Sequence, residues 1–92
     1  MIYKIQPSPR FEKKFKKLIK KNPEIQNKIR KFFNLLALDP KYPSLKSHQV
    51  DLAKYGKVWS SWLHDDLRVL WQYENDKIII LLLDIGNHDE LY

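Results

Sequence analysis

The stretch VWSSWLHDDLRVLWQYENDKIIILLLDIGNHDELY, from Val58 to Tyr92, holds three strand-like runs separated by two short polar turns. Val58–His64 alternates. Val58, Ser60, Trp62 and His64 share one face, and Trp59, Ser61 and Leu63 share the other. Asp65-Asp66 marks a turn. Leu67, Val69, Trp71 and Tyr73 then alternate with Arg68, Leu70 and Gln72, and Glu74-Asn75-Asp76 turns again. Lys77–Ile85 is apolar on both faces, which predicts a strand covered on both sides, and Gly86 is expected to end it. An apolar platform does not require His64, Asp66, Arg68, His88 or Tyr92, so these polar groups are the first candidates for function.

Upstream, Ile2, Tyr3 and Ile5 predict a short strand over Met1–Gln6. Ser8 and Pro9 predict a helix start, with Ser8 as N-cap and Pro9 in the first turn. Phe11, Phe15, Leu18 and Ile19 follow at one-face helical spacing, with lysines filling the other faces. Asn22-Pro23 reads as the cap and first residue of a second helix that buries Ile25, Ile29, Phe32, Phe33 and Leu36 and ends near Asp39-Pro40. The short link predicts an antiparallel helical hairpin. Pro40–Gly56 reads as a loop or partly ordered crossing that carries Lys46 and His48. The expected fold is α+β, in the order β-α-α-β-β-β. A helical hairpin packs on one face of a small, twisted, mostly antiparallel sheet within a single domain, 1–92. If Val69, Trp71 and Tyr73 meet the helices, Arg68 stands on the uncovered face, where a guanidinium suits an anion.

Ninety-two residues without cysteine exclude disulfide and thiolate-zinc staples, so the aromatic residues must carry a thin core. A chain this short buries about 65% of its unfolded surface. The first residues are polar and the longest apolar run is short, so neither a secretory leader nor a membrane span is expected, and the cytosol is the expected compartment. The net charge of +6 is uneven: residues 1–31 hold eleven Lys/Arg against two acids, and residues 32–92 hold six against nine. A basic first third points to a polyanion, either nucleic acid or an acidic protein, or else to a solvated lysine face.

Glycine-rich phosphate cradles are absent, Ser60 and Ser61 lie in no nucleophile-elbow pattern, and His48, His64 and His88 lack paired metal-ligand spacing. The residues present suit RNA cleavage. RNA supplies its own 2′-hydroxyl nucleophile, histidines can serve as base and acid, and arginine grips phosphate oxygens. Each also has a plainer reading. Arg68 can pair with Asp66 or Glu74, Asp66 can be turn chemistry, Tyr92 a frayed terminus, and the tryptophans packing.

LKSHQV at 45–50, WSSWLHDDLRVLW at 59–71 and DIGNHDELY at 84–92 resemble the RelE/ParE superfamily of type II toxins, especially the RelE and YafQ-type ribosome-dependent mRNA interferases. The resemblance implies metal-independent, cofactor-free cleavage of mRNA in the ribosomal A site by 2′-hydroxyl attack. By position, Arg68 matches the arginine on the scissile phosphate and His88 the histidine of the C-terminal G-x-H motif. Asp66 matches the aspartate before that arginine, His48 the loop histidine, and Tyr92 the terminal aromatic. These five are the expected catalytic set. Trp62 stands where many relatives carry a basic residue or histidine, and His64, two positions on, is a candidate substitute. Lys46, Trp62 and His64 are therefore expected to contact substrate, and Lys13, Lys14, Lys17, Lys20 and Lys21 ribosomal RNA. The implied partners are the 70S ribosome and a cognate antitoxin, through which the complex would bind operator DNA. ParE-like relatives instead poison DNA gyrase and lack the catalytic set. A non-enzymatic chain of that kind, or an inactive toxin that only binds its antitoxin, is the alternative.

Overall fold

A computed structural model describes residues 2–76 and 78–92. The strand bounds expected at Met1 and Lys77 fall outside the described residues. The chain forms β1 (Lys4–Pro7), α1 (Pro9–Lys21), α2 (Gln26–Leu38), β2 (His48–Leu52), β3 (Gly56–His64), β4 (Leu67–Glu74), β5 (Ile79–Asn87) and a single-turn α3 (His88–Leu91). The five strands make one sheet in the order β1-β5-β4-β3-β2, with β1 parallel to β5 and every other pair antiparallel. This is the expected α+β architecture, with one strand more: part of the crossing from Pro40 to Gly56 pairs as β2 along the edge of β3.

Helix α1 starts as read. Ser8 Oγ accepts from Phe11 N–H, and Pro9 occupies the first turn. Asn22 is not a side-chain cap. Pro23–Ile25 forms a short 3-10 turn, and α2 begins only at Gln26. The helices meet through Phe11, Phe15 and Phe33, whose ring centroids lie 5.7–6.1 Å apart. They cover the sheet face formed by Leu63, Val69, Trp71, Ile80, Leu82 and Ile85, all buried.

Two irregularities decide which side chains face away from the helices. On β5, Leu70 pairs with Asp84 but Trp71 pairs with Leu82, so Leu83 is one residue too many. Its insertion switches the parity of the strand, keeps Leu82 and Ile85 both in the core and places Asp84 on the opposite face. The freed backbone does not go unsatisfied: Ser8 N–H donates to the Leu82 carbonyl and Ser8 Oγ to that of Leu83. On β3, Trp62 pairs with Arg68 and His64 with Leu67, a second register shift. Gly86 does not end β5. It pairs with Arg68, Asn87 pairs with Leu67, and a side chain at Gly86 would sit 3.2–3.3 Å from Glu90.

A candidate functional face

The face turned from the helices is roofed in part, not open. Val58, Ser60, Leu70 and Asp84 on it are buried. Two tyrosines from outside the central strands supply the cover, and each phenol is tied to a buried polar side chain. Tyr55, on the β2–β3 turn, donates to Asp84 Oδ2 at 2.8 Å. Tyr92 OH shares a hydrogen bond with Ser60 Oγ.

Asp84 is the electrostatic centre beneath this roof. Lys14 Nζ lies 2.6 Å from Oδ1 and Arg10 Nε 3.1 Å from Oδ2, and Ile85 N–H donates to Oδ1. Burial pushes its carboxyl up, but hydrogen bonds from Lys14, Tyr55 and the Ile85 N–H, with the Lys14 charge, outweigh burial and hold it below the usual range. Burial first, then the bond to and charge of Asp84, push the Tyr55 phenol up to about 12. Lys14 is therefore committed to an internal ion pair. Lys13, Lys17, Lys20 and Lys21 are exposed on α1.

Beside the roof, a row across the sheet brings the expected residues together. His48 begins β2 directly opposite Ser60. His48 Nδ1 lies 2.9 Å from the Lys46 carbonyl. A carbonyl only accepts, so Nδ1 carries a proton, and Nε2 is the nitrogen whose lone pair a neutral ring would present. Across the face, a reciprocal cap starts α3: Glu90 N–H donates to Asn87 Oδ1, and Asn87 N–H to Glu90 Oε1. That turn carries His88, whose ring stands edge-on to Tyr92 with centroids 4.5 Å apart. Tyr92 is thus anchored rather than frayed.

The neighbouring row carries the cations. Trp62 stands opposite Arg68, and Arg68 opposite Gly86. Trp62 Nε1 donates to the Asp65 carbonyl at 2.7 Å, which fixes the indole, and Lys46 Nζ sits 5.3 Å from its ring centroid. Lys46 has φ 50, a left-handed conformation uncommon for lysine. Arg68 donates through one amino group to the carbonyl and carboxylate of Asp66, which leaves its other N–H groups for a ligand.

His64 is not brought to this set. The register shift after Trp62 turns it toward α2, where Nδ1 lies 3.2 Å from Lys28 Nζ. Period-two reading put it on the face of Trp62, and the extra residue Leu63 breaks that period. Among the described residues no group of three or more His, Asp or Glu is placed to hold a metal.

Asp84, Tyr55, Ser60 and Ser61 were not legible as parts of the site. The one available signal was a carboxylate at the end of the run IIILLL, a position where an acid is buried only if paired.

A small α+β domain with a basic helix on one side and histidine, arginine and aromatic groups gathered on the other defines the class to which comparison with known proteins assigns it. The family described as bacterial toxin of type II toxin-antitoxin system, YafQ, matches residues 3–92, and the chain belongs to that family. Among solved structures, YafQ from E. coli strain BL21(DE3) is similar at TM-score 0.76 and 21% identity, with 98% of each chain covered. The E. coli DinJ-YafQ toxin-antitoxin complex matches at TM-score 0.74 and 20% identity, covering 100% of this chain and 99% of that one. A metal-bound toxin from Helicobacter pylori matches at TM-score 0.73 and 25% identity over 100% of both chains. No curated protein sequence matches the chain. No helix among the described residues is long and apolar enough to cross a membrane.

Proposed function

We propose that this toxin is a ribosome-dependent endoribonuclease that cleaves mRNA in the A site by attack of the 2′-hydroxyl, and that a cognate antitoxin holds it inactive. What carries the reading is the convergence of His48, His88, Tyr92 and Arg68 on one sheet face in a chain of the YafQ family.

In this reading His48 Nε2 takes the 2′-proton, since its Nδ1 proton is engaged by the Lys46 carbonyl. The 2′-oxygen attacks phosphorus, the bond from phosphorus to the 5′-oxygen breaks, and His88 gives its proton to the departing oxygen. The products are a 2′,3′-cyclic phosphate and a 5′-hydroxyl. The free N–H groups of Arg68 and the ammonium of Lys46 stabilise the charge that builds on the phosphoryl oxygens. Asp66 aims Arg68. Trp62, fixed by Asp65, holds Lys46 and offers a face for a base. The exposed lysines Lys13, Lys17, Lys20 and Lys21 suit ribosomal RNA, where phosphate contacts give affinity without reading sequence. An acidic antitoxin suits the same basic surface, with operator DNA bound through the antitoxin. The cytoplasm, where ribosomes are, is the implied location.

The test is to incubate the protein with programmed ribosomes and map mRNA ends. Cuts within the A-site codon are expected, and intact mRNA at every codon would sink the proposal.

A further inference from the structure

Ser60 and Ser61 are adjacent on β3 and project to opposite faces of the sheet. Each is buried, and neither has solvent to satisfy its hydroxyl. Their partners differ. Ser60 Oγ meets Tyr92 OH on the site face. Ser61 Oγ, on the helix face, accepts from Trp71 Nε1 at 2.8 Å and meets Ser47 Oγ. Ser47 Oγ donates to the Pro40 carbonyl at 2.6 Å, so its single proton is used there. The proton between the two serines therefore belongs to Ser61. The result is an ordered chain from the Trp71 indole through Ser61 and Ser47 to Pro40.

Ser47 lies between Lys46 and His48, whose ring takes its orientation from the Lys46 carbonyl. Tyr92 closes the turn that carries His88, through its N–H to the His88 carbonyl and its ring against the imidazole. His88 itself is well exposed, and its nearest ionic contact, Asp89, is 3.7 Å away. The backbone of His48 is held besides by the β2–β3 ladder, and that of His88 by the reciprocal Asn87–Glu90 cap.

We infer that Ser60 and Ser61 are the positioning residues of the site: Ser60 fixes His88 through Tyr92, and Ser61 fixes the Lys46–His48 segment through Ser47. One dipeptide in the middle of a strand thereby sets the separation of the two acid–base groups. The inference rests on the ribonuclease reading for its catalytic consequence but not for its geometry. A buried hydroxyl pair elsewhere in a core would serve packing alone. Here each hydroxyl ends on a segment that carries one of the two histidines.

The geometry is tested by the ring resonances of the histidines. Ser60→Ala should shift His88 and weaken its proximity signal to the Tyr92 ring, while His48 stays put. Ser47→Ala should shift His48 and leave His88 unchanged; it breaks the Ser61 link from its less buried end, in case Ser61→Ala does not fold. Unmoved histidines in both variants, or both histidines moving in either, would overturn the inference.

The catalytic consequence is read in single-turnover cleavage on programmed ribosomes. Ser60→Ala should slow the step by roughly 10- to 100-fold with little change in apparent affinity. It should have no further effect in a Tyr92→Phe background, which already lacks the bond. Multiplying effects of Ser60→Ala and Tyr92→Phe would show that Ser60 does not act through Tyr92. If wild type cuts nothing, the ribonuclease reading fails, and the ring measurements alone decide the positioning.

Discussion

Trp62 stands directly opposite Arg68 in the β3–β4 ladder, and Lys46 rests its ammonium over the indole. The aromatic residue therefore sits beside two cations. Trp62→Leu keeps an apolar side chain but removes the platform. An exposed cation–π contact is worth about 0.5–1 kcal/mol, so apparent RNA affinity should weaken about two- to fivefold. A cleavage assay that varies ribosome concentration checks this. An unchanged half-saturation point would remove Trp62 from the holding of Lys46.

Arg68 and Asp66 make a separable pair. Arg68→Ala should slow the chemical step by about 10²–10³-fold, because it removes a donor aimed at developing charge. Asp66 is largely exposed, so the pair itself should contribute no more than about 1 kcal/mol to folding. Asp66→Asn should therefore leave the melting curve nearly unchanged. A rate loss as large as that of Arg68→Ala would give Asp66 a part in proton transfer beyond aiming the guanidinium.

Asp84 and Tyr55 predict two pH limits on stability. The folded Asp84 carboxyl is held below its ordinary range, so the unfolded chain binds that proton more tightly. Its contribution is complete above the unfolded carboxylate range and is lost as pH falls through the lowered folded value. The Tyr55 phenol shifts the other way, from 10.0 to about 12. Its contribution is complete below 10.0 and is lost as pH rises toward about 12. Denaturant midpoints measured across pH should show the acid loss blunted in Asp84→Asn and the alkaline loss blunted in Tyr55→Phe. At neutral pH, Asp84→Asn should cost about 1–3 kcal/mol, because it leaves buried polar groups poorly matched.

Gly86 is a glycine for close approach. A methyl group there would meet the Glu90 side chain that caps α3. Gly86→Ala should displace Glu90 and break half of the reciprocal cap, a loss of about 0.5–2 kcal/mol confined to the last turn. Amide exchange should quicken at Asn87, whose N–H donates to Glu90 Oε1, while β3 and β4 remain protected, and cleavage should slow in step. Unaltered exchange at Asn87 would mean that the cap survives the added methyl group.

The parts of the chain with a strong period could be read in advance: Ser8 and Pro9, the apolar face of α1, and the alternation of β3 and β4. Strand β2 could not, because its residues are mostly exposed at a sheet edge and so carry no apolar alternation. Each register shift defeated period-two reasoning at one place, and hid both the departure of His64 and the emergence of Asp84. Of the expected set, His48, Arg68, His88, Tyr92, Lys46 and Trp62 do share a face with Asp66 at its rim. The resemblance of three short motifs brought most of them to notice. The groups that hold them, Tyr55, Ser60, Ser61 and Asp84, are distant in sequence from their partners, and pairing of that kind leaves no local pattern.

The surplus residue Leu83 has a consequence for the basic helix. Its carbonyl and that of Leu82 are the socket into which Ser8 plugs the beginning of α1. Deleting Leu83 would leave every neighbour on its present side of the sheet, yet it would remove half of that socket. The helix start would then rest on the Leu82 carbonyl alone, and Arg10 and Lys14 would lose their present aim at Asp84. A single supernumerary backbone unit thus sets the phase between the toxin's positive flank and the sheet face that gathers its histidines.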